Sequence, residues 1–357
     1  MSHTRILIPG GAGFVGSSLA VALRQACPAS DIICLDNLKR RGSEVILARL
    51  RQADVRFVHG DIRFAQDLEQ VGPVDLMIEC SAEPSAGAGY GGSPDYLLQT
   101  NLVGAVNCLE YLRRFGGDLI FLSSSRVYPI TPLRALPLAD AGRRLDIPAD
   151  ASGPGWSHVG VTTDFPMVGH RTLYGATKLT AELLIAEYAA MYGLRAVVNR
   201  CGVIAGPWQM GKVDQGFMVL WVARHYFRGT LGYIGFGGQG RQVRDVLHVD
   251  DLFDLVLCQM RSMDRFAGQT FNVGGGLAHS TSLLELTDLC RNVTGNTIDI
   301  GSFPDTSAYD VPYYVTDNTR ITQASQWAPG RGVEQVVRDI HAWIVAHERE
   351  LASILAQ

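Results

Sequence analysis

Tyr174 and Lys178, in Tyr174-Gly175-Ala176-Thr177-Lys178, stand four residues apart. On a helix that spacing puts both side chains on one face. An ammonium beside a phenol favours the ionised form, which makes Tyr174 a usable base near neutral pH. Far upstream, Gly10-Gly11-Ala12-Gly13-Phe14-Val15-Gly16 follows an apolar strand and opens a helix. Such a turn lets backbone approach a pyrophosphate while helix N–H groups point at the anion. Between the two lies Ser123-Ser124-Ser125, a run of hydroxyls at the end of another apolar segment. Together these residues hold a dinucleotide and move a proton beside it.

Asp36 ends the second apolar segment, 20 residues after Gly16, where a carboxylate accepts both ribose hydroxyls of a dinucleotide. It would repel a 2′-phosphate, which favours NAD over NADP. Lys39-Arg40-Arg41 argues the other way, as a partner for such a phosphate, or is simply a solvated loop. Asp61-Ile62 reads equally as an adenine-edge contact and as a helix N-cap before Phe64–Gln70.

The scaffold these groups need is legible as alternating short apolar runs and amphipathic stretches, the mark of βα units around a parallel sheet. Strands are expected at Arg5–Pro9, Asp31–Asp36, Val55–His59, Leu76–Cys80, Asp118–Ser123 and Ala196–Arg200, with helices over Val15–Ala26, Tyr96–Phe115 and Leu173–Met191. The fold class is therefore α/β, a Rossmann-type doubly wound parallel sheet with a smaller mixed α/β C-terminal substrate domain. Ligands bind such sheets at the strand C-termini. Residues 129–170, rich in Pro, Gly, Ser and Asp, are expected to form an excursion over the active site. Residues 1–204 form the NAD-binding domain, and 245–274 return to it. Residues 205–244 and 275–357, with helices at Met218–Tyr226, Leu283–Asn292 and Val333–Ala346, form the substrate domain.

With 47% hydrophobic and 18% charged residues, the 357-residue chain can bury a large core. A net charge of −4 argues against nucleic acid as the main partner. The seven cysteines form no Cys-x-x-Cys pair and read as reduced core residues of a cytoplasmic protein, with no metal site expected. The N-terminus runs straight into a strand, leaving no room for a signal peptide, and no stretch approaches the roughly 18 apolar residues that cross a bilayer. No membrane partner is expected.

These residues resemble the extended short-chain dehydrogenase/reductase superfamily of nucleotide-sugar epimerases and dehydratases, over nearly the whole chain. Further marks are Thr100-Asn101-Leu102-Val103-Gly104, Ser123 to Tyr128, Arg200 through Gly206-Pro207, and Arg244 to Asp251. The stretch Asn199 to Gly216 and the later Tyr233 to Gly238 look most like the branch of CDP-paratose 2-epimerases.

The resemblance implies a catalytic Ser124, with Ser123 and Ser125 as the neighbouring alternatives, beside Tyr174 and Lys178. It implies NAD held by Gly10, Gly13, Phe14, Val15, Gly16, Asp36, Asn37, Asp61, Ile62, Ser81, Ala82, Asn101, Ser123, Tyr174 and Lys178. The nucleotide-sugar substrate, CDP-linked in preference to UDP-linked, falls to Ser125, Arg126, Arg200, Gln209, Lys212, Gln215, Arg244 and Arg320. Arg244 grips the diphosphate or pairs only with Asp245; Arg320 adds a phosphate contact or forms a surface salt bridge. Trp156, His158 and His170 either line the sugar pocket or are structural. Dehydratases of this superfamily carry Asp-Glu after the catalytic Ser/Thr; Ser125-Arg126 stand there instead, against a dehydratase. The asparagine usual three before Gly-Pro is Val203. The implied reaction is epimerisation at C2 through a 2-ketose, with UDP-sugar 4-epimerisation and dehydrogenation as rivals. A homodimer or homotetramer is expected, with Ala105–Tyr111 and Leu179–Tyr188 either in the contact or facing the core.

Overall fold

Short, fully apolar segments flanked by helices are what a parallel sheet covered on both faces demands. In the computed structural model, which describes residues 3–40, 42–211 and 215–356, seven strands pair in parallel. They are β1 (Arg5–Pro9), β2 (Asp31–Asp36), β3 (Arg56–His59), β4 (Leu76–Glu79), β5 (Asp118–Ser124), β6 (Ala196–Cys201) and β7 (Gln269–Val273). The sheet order is β7-β6-β5-β4-β1-β2-β3. The winding direction reverses between β1 and β4, which opens a crevice at their C-terminal ends. Period-two alternation sends Ile6 and Ile8 to one face and Leu7 to the other.

On the first face lie α1 (Phe14–Ala26) and α2 (Ser43–Gln52), with Leu19, Leu23, Ile46 and Leu50 in the core. The helix α2 is absent from the sequence reading. On the other face pack α3 (Gly104–Phe115) and α4 (Leu173–Tyr192), through Ala105, Cys108, Leu109, Ala181 and Ile185. The expected single helix over Tyr96–Phe115 is interrupted by a π turn at Gln99–Val103. A fifth helix, α5 (Val249–Arg261), returns to pack Leu252, Leu255 and Val256 against the first face, and β7 joins the sheet edge. The segment ahead of α5 does not return with it. Val243–His248 pairs instead with Val203–Ala205, Ser280–Ser282 and Tyr313–Tyr314 in a separate sheet.

The helices Phe217–Tyr226, Leu283–Thr294 and Val333–Ala346 close a further core around Val219, Leu286, Val337 and Ile340. Ser282 starts the second of these with a capping box completed by Glu285, two otherwise orphaned N–H groups being satisfied reciprocally.

Residues 129–170 correct the sequence reading. They form the helix Ile130–Arg134 and two small sheets, and sink Ile130, Leu133, Ile147, Val161 and Phe165 into a core shared with Tyr128, Tyr313 and Tyr314. None of the described residues between Arg126 and Tyr174 lines the large cleft, so Trp156, His158 and His170 stand outside it. Their neighbours' apolar side chains find a buried surface beside the cleft, which holds the segment there. Among the described residues no helix is long and apolar enough to cross a membrane. All seven cysteines are free thiols.

Candidate active site

A cleft of about 1190 Å³ runs along the C-terminal edge of the sheet and out between the two halves of the chain. Its floor is the turn after β1. Gly10 has φ +73°, and a Cβ there would stand 2.7 Å from the Ser81 backbone, so the ends of β1 and β4 meet only because glycine joins them. At Gly16 a Cβ would reach the Gly10 carbonyl oxygen at 2.3 Å. The first turn of α1 carries no acidic residue and no side-chain cap, which leaves its N–H groups to an anion.

Asp36 borders the same end of the cleft, and its carboxylate accepts the Ala12 N–H at 3.0 Å and the Leu38 N–H at 2.8 Å. Burial raises its pKa above the usual carboxylate range, against those two bonds. Asn37 donates to Asp61 at 2.8 Å, and Asp61 also binds the Arg63 guanidinium. Although burial opposes it, Arg63 and Asn37 hold the Asp61 carboxyl below its ordinary pKa. Asp61 caps no helix, since the short helix Ala65–Glu69 begins after Phe64. Ile62, Lys39, Arg40 and Tyr96 complete this end, with the Lys39 ammonium 3.3 Å from the centre of the Tyr96 ring. Arg41 lies outside the described residues.

At the other end of the cleft floor, Tyr174 sits in the first turn of α4, which Thr172 caps by accepting the Gly175 N–H at 3.1 Å. Ser124 ends β5, borders the cleft, and accepts the Arg126 N–H at 3.1 Å. Ser123 also borders the cleft, but its hydroxyl donates to Glu182. Lys178, one turn below Tyr174, is buried and donates to the Leu122 carbonyl at 3.0 Å. Ser81, Ala82, Phe14 and Val15 line the cleft; Asn101 does not. From the π turn Asn101 instead clamps both backbone groups of Glu83, at 2.8 and 3.1 Å, and so shapes the wall after β4.

On the substrate side, Arg126 and Arg244 converge on Asp310. Arg244 donates to its carboxylate at 2.7 Å and to the Val311 carbonyl at 2.6 Å, while Arg126 donates to the Tyr309 carbonyl at 3.1 Å. The ion-pair partner of Arg244 is thus Asp310 and not its neighbour Asp245. Burial lowers the Arg244 pKa, with Asp310 opposing. Gln209 and Gln215 border the cleft, and the buried Gln209 side-chain oxygen has no hydrogen-bond partner among the described residues. Lys212 lies outside the described residues.

Two arginines stand elsewhere. Arg200 is held against Glu182 at 2.8 Å and the Tyr128 hydroxyl at 3.2 Å, a buried pairing that keeps it off the cleft. Arg320 is exposed, reaches Thr163 at 3.4 Å, and touches no part of the cleft wall. Conversely, Glu83, Tyr96, Tyr309 and Asp310 line the cleft and are not among the expected site residues. Glu83 follows β4, Tyr96 lies in the short helix Asp95–Leu98, and Tyr309 and Asp310 lie in a loop.

A doubly wound sheet with a glycine turn at its switch point, an acidic residue ending β2, and a Tyr/Lys helix beside a strand-end serine defines a dinucleotide-dependent class. The chain belongs to the NAD dependent epimerase/dehydratase family, which matches residues 6–274. It is 30% identical to CDP-paratose 2-epimerase of Salmonella typhi, over 95% of this chain and 98% of that one. It is 28% identical to dTDP-glucose 4,6-dehydratase of Mycobacterium tuberculosis, over 91% and 88%. UDP-glucuronic acid 4-epimerase from Bacillus cereus, solved with UDP-glucuronic acid and NAD, superposes with a TM-score of 0.77 at 20% identity, covering 96% of this chain and 99% of that one. The protein is an NAD-dependent enzyme of nucleotide-sugar chemistry.

Proposed function

We propose that the protein epimerises a CDP-linked deoxysugar at C2, in the manner of CDP-paratose to CDP-tyvelose conversion. The carrying observation is that Tyr174 and Ser124 both line the cleft, with Lys178 one helical turn beneath Tyr174. NAD, held there, would supply reversible hydride chemistry at the sugar carbon. Tyr174 takes the sugar hydroxyl proton, Ser124 orients that hydroxyl, and the sugar is transiently a 2-ketose. Gly10, Gly13 and Gly16, with the open N-terminus of α1, hold the pyrophosphate; Asp36 faces the ribose, and Asp61 with Ile62 the adenine.

Arg126 and Arg244, with Gln209 and Gln215, hold the nucleotide diphosphate while the ketose turns over, a role suited to planar guanidinium donors. Similarity to the Salmonella typhi enzyme over almost the full length supports the CDP-sugar reading. Against dehydration stands Ser125-Arg126 where a carboxylate pair would be needed. UDP-sugar 4-epimerisation is the second reading, favoured by the fold shared with a UDP-sugar 4-epimerase, and it uses the same groups on another carbon.

Residues 1–204 with 249–274 act as the NAD-binding unit, and 205–248 with 275–357 as the substrate unit, the strand Val243–His248 going with the latter. Location in the cytoplasm and a homodimer or homotetramer complete the proposal. On α4, Leu183 and Met191 are 62% and 67% exposed, a face that a second copy would cover. Ala105, Cys108, Leu109 and Tyr111 face the core instead.

Incubation with a panel of CDP- and UDP-sugars, with products read by NMR, tests the reading. The CDP-sugar epimerised at C2 is the expected product, and a C2 deuterium label should stay in it. Loss of that label to solvent would replace hydride return with carbanion chemistry.

A further inference from the structure

Glu79 ends β4 inside the sheet, and its carboxylate lies 3.5 Å from the Lys178 ammonium, each side chain only 4% exposed. Its other oxygen accepts the Ser81 N–H at 2.8 Å and also bonds the Ser81 hydroxyl. Lys178 spends one N–H on the Leu122 carbonyl and stands 4.5 Å from the centre of the Phe121 ring. The titratable groups that face this pair are Tyr174 from α4, Cys80 just after β4, Cys108 from α3 and Cys201 from β6. Glu79 is thus the one carboxylate among them, and it ties the β4 end, at the switch point, to the helix that carries Tyr174.

An ammonium shut inside a sheet core loses its proton unless a counter-charge meets it. Here burial pushes the Lys178 pKa down, Glu79 pushes it up, and the net direction is upward. We propose that Glu79 is a positioning residue for the proton transfer, holding Lys178 charged and aimed beneath Tyr174. The proposal rests on Tyr174 acting as the base. Glu79 does not line the cleft and acts only through Lys178. A neutral residue of the same shape would leave the cleft intact and discharge the lysine.

The chain has three lysines, Lys39, Lys178 and Lys212, so a lysine-labelled carbon NMR spectrum of the NAD-loaded protein is simple to assign with Lys178→Arg. In Glu79→Gln the Lys178 titration midpoint should fall by at least about one pH unit, a tenfold easier deprotonation. Glu79→Asp, which keeps the charge but withdraws it by a methylene, should fall by less. In turnover, Glu79→Gln should lower kcat with KM held, and move the alkaline limb of the pH profile to lower pH. A merely structural Glu79 would lower Tm and leave the titration where it was. A Glu79→Gln midpoint within about 0.3 unit of wild type overturns the proposal. Should that variant not fold, Glu79→Asp is decisive: a downward shift supports the proposal, and an unchanged midpoint overturns it. The titration needs no sugar, so failure of every nucleotide sugar to turn over would sink the functional reading and leave this result standing.

Discussion

A Cβ at position 175 would stand 2.0 Å from the Arg126 carbonyl oxygen, so Gly175 sets how closely α4 approaches the end of β5. Tyr174 and Ser124 flank this contact, one on each element. The glycine between Tyr174 and Lys178 is therefore a steric requirement of the site. Gly175→Ala must push the two elements apart, at a cost of about 1–3 kcal/mol in stability. Turnover should suffer more than folding, because Tyr174 moves away from the strand-end serine. Thermal melts and kcat on the NAD-loaded variant measure both; a rate near wild type would show that the spacing is not needed.

Tyr174→Phe removes one oxygen and keeps the ring. If the phenol moves the proton, kcat should drop by about 10²–10⁴-fold, with NAD still bound and Tm little changed. Retention of most of the rate would transfer the proton role elsewhere, with Ser124 as the next group to test.

Arg244, its side chain 13% exposed, faces Asp310. Arg244→Lys keeps the charge and loses the planar fork, so KM for the nucleotide sugar should rise about tenfold or more, near 1.4 kcal/mol, with a smaller change in kcat. Arg244→Ala should also destabilise the fold, because Asp310 is left half-buried without its partner. Initial rates across substrate concentration and a melt of each variant separate the two effects. Equal KM in wild type and Arg244→Lys would remove Arg244 from substrate binding.

His225 lies in the helix Phe217–Tyr226, fully buried, with its Nδ1 at 2.8 Å from the Trp221 carbonyl. Burial lowers its pKa below the ordinary 6.5. For a base with a depressed folded pKa, the unfolded chain takes the proton first. Its contribution to stability is complete above about 6.5 and declines as pH falls below that value. Wild type should lose Tm between pH 7.5 and 5.5 more steeply than His225→Gln. Parallel curves for the two proteins would assign the acid sensitivity to other groups.

How far the chain can be read without its structure is seen at particular residues. The strands β1 and β2, and the helices α1 and α4, follow from runs of neighbours: apolar strings, amphipathic stretches and a glycine turn. Positions within the glycine turn and Asp36 needed only that local pattern. By contrast α2 hides behind a basic run, and the excursion at 129–170 has no period to say which surface its apolar residues would find. Asn101 carries the expected motif yet serves the Glu83 backbone, because a π turn rotates it off the cleft.

Charge pairing divides the two sources of information most clearly. By itself the amino-acid order determined a doubly wound sheet, a place for NAD, and a tyrosine above a lysine on one helical face, since these depend on spacing within a few turns or strands. Only the tertiary structure decided that Arg200 belongs to Glu182, Arg244 to Asp310 and Lys178 to Glu79. Those partners lie 18, 66 and 99 residues apart, and strand order and helix packing, which no local period encodes, bring them together.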